Sequence, residues 1–130
     1  MLTISQVAAG ANLATFTFYG AALLFKPAAM IKTVMRSDGF DAIKFGDPIY
    51  AIAQYLGAMY LSQGLRMLRA LGTPSMLKAD LMGVGVVQSL LCVTSLARLL
   101  MGIAKDSVTL SLPFGQGLMA WLAFAGSAAA

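Results

Sequence analysis

Charge is missing from four long stretches of this chain, and no other feature limits its fold so strongly. No Asp, Glu, Lys or Arg occurs in residues 1–25, 48–65, 81–97 or 107–130. In the first stretch the compact apolar part is 7–25. Crossing the hydrocarbon of a bilayer takes about 20 helical residues, with a range of about 17–25. Lipid offers no partner for a backbone N–H or C=O, so each stretch, if it crosses, must be helical. Composition agrees. The chain has 130 residues, 59% of them hydrophobic and 11% charged, against roughly 25% charge in ordinary soluble domains. A soluble fold this small would leave about a third of its unfolded-chain surface in water. The expected fold is therefore all-α: one integral membrane four-helix bundle, with spans at about 5–26, 48–70, 75–103 and 108–128.

Local signals sharpen the boundaries. Asp47-Pro48 reads as an N-cap followed by proline at the first helical position, and Thr73-Pro74 repeats the pair. Gly72 suits the end of the second span. Pro113 falls near the start of the fourth, where it opens or kinks the helix. Arg98, at the end of the third, is expected to snorkel to the headgroups. After Pro27, residues 28–36 place Met30, Ile31, Val34 and Met35 on one face, with Lys32 and Arg36 on another. That pattern reads as a short interfacial helix; the alternative is a first helix that continues past Pro27. Ser37-Asp38-Gly39 and Phe45-Gly46-Asp47 read as turns. The first span lacks a basic leader and is expected to be a retained helix rather than a signal peptide.

The net charge of +4 does not indicate nucleic acid, because the basic residues gather at segment ends. Lys26, Lys32, Arg36, Lys44, Arg98 and Lys105 fall in or beside loops 26–47 and 98–107. Arg66, Arg69 and Lys78 flank the other loop. Six against three puts loops 26–47 and 98–107 on the cytoplasmic, stromal or matrix side.

The chain has no His and one Cys, Cys92, and its five acids are all Asp. The usual zinc, haem and di-iron ligand sets are absent, so no metal site is expected. So is any Ser-His-Asp or Cys-His arrangement. The expectation is a protein that is not an enzyme. What remains inside the spans is polar and uncharged. Tyr50, Gln54, Gly57, Leu61 and Gly64 share one helix face, Gly85, Gln88, Cys92 and Ser95 another, and Asn12, Thr15 and Tyr19 a third. Small residues let helices approach, and amides hydrogen-bond across the contact. A second reading makes Asn12, Gln54, Gln63 and Gln88 candidate cofactor-binding residues. Their side-chain oxygens are hard donors of the kind magnesium accepts, so chlorophyll is the pigment they would ligate, with carotenoid or bound lipid as further ligands. Gln54 and Gln63 lie about 180° apart on one helix and cannot both face one partner.

The segment Tyr19-Gly20-Ala21-Ala22-Leu23-Leu24-Phe25-Lys26-Pro27 resembles the end of the first helix in small four-helix DoxX-like membrane proteins. Tyr55-Leu56-Gly57-Ala58 and Gln63-Gly64-Leu65 extend the resemblance, which covers about 15–103. It implies a four-helix fold and diverse functions, some of them as redox accessory proteins. A lone cysteine does not support a redox role, and no functional residue carries over.

Two functional expectations follow. The first is a non-catalytic accessory subunit of a larger membrane complex, its partners being the bilayer and other membrane subunits. Its apolar tail 126–130 would be held by neighbours or lipid. A photosystem in a thylakoid membrane is favoured, with a respiratory or ATP synthase complex in a mitochondrial or bacterial inner membrane as the alternative. The second is a stand-alone DoxX-like protein handling a small solute, quinone or redox partner. It predicts a closed bundle with a polar cavity centred on Asn12, Gln54 and Gln88.

Overall fold

The structure, a computed structural model, describes residues 1–34, 48–102 and 111–130. Five helices are present and no strand occurs among the described residues. They are α1 (Ile4–Phe25), α2 (Pro27–Val34), α3 (Pro48–Gly72), α4 (Pro74–Leu100) and α5 (Ser111–Ala128). The all-helical expectation holds. The turns at 37–39 and 45–47, the cap at Asp47, and Met35 and Arg36 of the interfacial helix lie outside the described residues.

Each helix end has a local cause. Thr3 and Gln6 form a reciprocal capping box, with Gln6 N donating to Thr3 Oγ1 at 3.2 Å and Thr3 N donating to Gln6 Oε1 at 3.0 Å. Two of the free donors at the start of α1 are thereby satisfied. Pro27 disfavours helical geometry at the residue before it, and Lys26 has left the helix at φ −134°. A separate α2 then begins on Pro27 itself, so the first helix does not run on. Between α3 and α4 the connection is Thr73 alone. Pro74 takes the first helical position as expected, but the Thr73 side chain makes no capping bond. Helix α4 ends at Leu100, close to the expected boundary of about 103, and Gly102 turns to φ 68°, a left-handed conformation suited to glycine just beyond a helix. Pro113 lies in the first turn of α5, where its missing N–H breaks no bond.

The four long helices pack antiparallel in sequence order, with α1 against both α3 and α5 and α4 against both α3 and α5. Cross-helix contacts fix the register. Ser5 at the start of α1 donates to Gly126 O at the end of α5 (2.9 Å), and Ser127 donates to Lys78 O near the start of α4 (2.9 Å). The α1–α3 contact is made backbone to backbone. A Cβ on Gly57 would stand 2.8 Å from the Gly20 carbonyl oxygen and 2.7 Å from the Leu24 backbone nitrogen, closer than real atoms approach. Only glycine permits this crossing, the arrangement that small residues allow between helices.

The core is built largely from small side chains. Ala8, Ala9, Ala70 and Ala123 are buried with Phe16, Met67, Leu81 and Val84. Polar Ser5, Asn12, Asp80, Gln88, Ser95 and Ser127 are buried among them. Large apolar side chains point outward instead, including Phe18 (68% exposed), Leu65 (66%), Leu90 (63%) and Trp121 (65%). By length and composition α1 and α4 could cross a membrane. Four such helices were expected; among the described residues these two are long and apolar enough. Helix α3 carries Arg66, Arg69, Gln54 and Gln63, and α5 is short and includes Pro113 and Gln116.

Candidate functional site: a cavity at one end of the bundle

The polar residues of the interior form a chain of contacts between helices. Gln88 on α4 donates through Nε2 to Asn12 Oδ1 on α1 at 3.0 Å. Asn12 Nδ2 donates to Ala8 O at 3.0 Å and reaches Met119 O on α5 at 3.5 Å. One turn further along α1, Thr15 donates to Ala11 O (2.9 Å) and faces the Met119 sulfur. On α4 the sequence Gly85, Gln88, Cys92 and Ser95 does share an inward face. Gly85 lies beneath the Phe124 ring, Cys92 Sγ contacts Pro113 O at 3.2 Å, and Ser95 Oγ donates to Gln116 Oε1 at 2.6 Å.

Beyond this chain the bundle opens. A cavity of about 380 Å³ lies between α1, α3, α4 and α5, with Met30 of α2 at its edge. Leu23, Arg98 and Ser111 line it, and each lies close to the end of the bundle away from the α3–α4 turn. Gln88, Thr15 and Met119 mark its other limit, near mid-bundle. Its walls are mainly apolar: Phe16, Leu56, Leu91, Leu112 and Met119, with Tyr19, Tyr60, Gln116 and Arg98 as the other polar groups. Phe16 and Tyr60 meet edge to face, with centroids 5.6 Å apart at 83°. This fixes the ring that forms one wall, a favoured aromatic geometry. Arg98 lines the cavity, and its Nε is buried without a hydrogen-bond partner.

The four amides singled out from sequence fall in three places. Asn12 and Gln88 meet, and Gln88 borders the cavity. Gln54 does not join them: its Nε2 donates to Leu24 O at 3.2 Å across the α1–α3 contact. Gln63 lies beside Ser62, Arg66 and Arg69 in a shallow hollow, its Oε1 buried and unpartnered. The expected centring of a cavity on Asn12, Gln54 and Gln88 is thus replaced by one bordered by Gln88 alone of the three. The Asn12 Oδ1 accepts from Gln88.

Sequence reasoning missed a second polar cluster at the opposite end. Asp80 is 3% exposed and accepts from Arg66 Nε at 2.8 Å and from Arg69 Nη2 at 2.9 Å on both carboxylate oxygens. Arg66 and Arg69 stand one turn apart on α3, and the single-residue turn at Thr73 folds Asp80 back beside them. The spacing around Gly72-Thr73-Pro74 carried that information. Among the described residues no cluster of His, Cys, Asp or Glu could hold a metal ion.

Compared with protein-family models, with curated proteins and with solved structures, the chain matches none of them. Its own geometry is therefore what bears on its function.

Proposed function

We propose that this chain is a membrane-embedded four-helix bundle that holds a small amphiphilic molecule in its internal cavity, without catalytic chemistry of its own. The carrying observation is the cavity: about 380 Å³, within the roughly 300–1,000 Å³ of small-molecule sites, and like them apolar with a few polar groups. The membrane setting draws on the partition of side chains. The core helix of a soluble protein is mostly buried, whereas 28% of the apolar window of α1 and 22% of that of α4 is buried. The large apolar residues face out and the small and polar ones face in, as suits a hydrocarbon solvent.

Photolabelling tests it. A diazirine-bearing medium-chain alcohol, irradiated with the detergent-solubilised protein, is expected to mark wall residues such as Leu56 and Met119. Gly115 lines the cavity, and a Cβ there meets nothing within 4 Å, so Gly115→Leu fills the space without a clash at its first carbon and should abolish that labelling. Label confined to outward residues such as Phe18 and Trp121, and indifferent to Gly115→Leu, would refute the reading.

A non-catalytic subunit of a larger membrane complex is the second reading. It is favoured by the breadth of exposed apolar surface, on which Phe18, Tyr55, Phe114 and Trp121 are each more than 60% exposed and would meet neighbouring subunits, pigment or lipid. Nothing in the geometry singles out a photosystem, a respiratory complex or an ATP synthase. Stable co-purification with defined partners in mild detergent would favour this second reading.

A further inference from the structure

Resting on the cavity reading above, we infer that the occupant is an anionic amphiphile: a carboxylate or similar single-charge headgroup held at Arg98, with its chain running inward between Phe16, Leu91 and Met119.

Three observations lead there. First, Arg98 is the one charged side chain among the described residues that line the cavity. An anionic headgroup placed there would meet this charge with charge-assisted hydrogen bonds, which a neutral one cannot do as strongly. Second, the Arg98 Nε is buried without a partner, whereas the other described arginines, Arg66 and Arg69, are both committed to Asp80. The planar fork of donors that arginine presents matches a carboxylate or phosphate oxygen pair. Third, the charge in the lining sits at one end of the cavity. Arg98 lies near the C-terminal end of α4, at the end of the bundle. The path inward passes Leu91, Phe16 and Met119, and at its limit lie the uncharged Thr15 and Gln88. A headgroup at the rim and a chain inside follow this placement of charge; the reverse orientation would leave the anion without a cation.

The same chemistry could come from a membrane-derived fatty acid or from a small soluble carboxylate, and competition against the photolabel separates them. Decanoate, methyl decanoate and acetate are each titrated against labelling of Leu56 and Met119. Decanoate is expected to protect at about tenfold lower concentration than its methyl ester, the worth of one charge-assisted hydrogen bond, and acetate not to protect. Arg98→Gln should erase the preference of acid over ester, and Arg98→Lys should restore part of it. Equal protection by decanoate and its ester, unchanged in Arg98→Gln, overturns the anionic assignment and leaves the cavity reading standing. Protection by acetate as strong as that by decanoate overturns the amphiphile. Wall labelling that never depended on Gly115 removes both the cavity reading and this inference.

Discussion

Gln88 and Asn12 are joined by a 3.0 Å hydrogen bond across the middle of the bundle, linking α4 to α1, the two helices apolar enough to cross a membrane. Both side chains are buried, so neither can turn to water if the other is removed. Interhelical bonds of this kind are worth about 0.6–2 kcal/mol, while a buried amide left unpaired costs about 1–3 kcal/mol. Asn12→Leu and Gln88→Leu are each expected to lower the melting temperature in detergent. The double variant should lose less than the sum of the two. Additive losses in a double-mutant cycle would show that the pair is not coupled.

The α1–α3 crossing should be intolerant of any side chain. Gly57→Leu is expected to cost more than the roughly 1–3 kcal/mol typical of an overpacked core, because the obstruction is backbone and cannot move aside. Gly10→Leu provides the control on α1, since a Cβ there meets nothing within 4 Å. Thermal unfolding of both variants checks the pair; equal stability would mean that α1 and α3 are not held at this distance.

Asp80 is buried while its partners reach solvent, with Arg66 36% and Arg69 55% exposed by side chain. Asp80→Asn leaves two cations together without their counter-charge. Breaking a fully buried pair costs about 3–5 kcal/mol, and the exposure of the arginines brings the expected loss toward the lower end of that range or below it. Arg69→Gln should cost less, because Arg66 still holds the carboxylate. Unfolding titrations of the two variants in mixed micelles should rank them in that order.

Trp121 is the sole tryptophan and is 65% exposed. In lipid vesicles its fluorescence should be quenched strongly by lipids brominated on the acyl chain and little by aqueous iodide. The opposite ranking would place α5 in water and remove the membrane reading.

Much of the helical plan could be read from the residues. Pro27, Pro48 and Pro74 each open a helix, since proline costs nothing at a helix start and excludes helix before it. The spacing of Gln54, Gly57, Leu61 and Gly64 named the face that meets α1, because helical periodicity places such residues on one stripe. The cavity was less accessible. Asn12 and Gln54 carry equal polarity in sequence, yet Asn12 faces Gln88 while Gln54 turns to the Leu24 carbonyl, and that choice depends on how far the helices are rotated against each other. Arg98 looked like a flank because its place near the end of a span is all that sequence gives; that its side chain lines the cavity depends on how the helices pack around it. The pairing of Asp80 with Arg66 and Arg69 was no easier to read, although the tight turn at Thr73 that brings them together was visible.

The two ends of the bundle are built differently. Near the α3–α4 turn, Ser5, Ala8, Leu81, Gly126 and Ser127 lock together with no room to spare, whereas the far half encloses empty volume. Protein interiors yield little where they are filled, so whatever enters must be accommodated by the hollow half alone. Loading it would be felt at Leu23, Arg98 and Ser111 long before it was felt at Thr73.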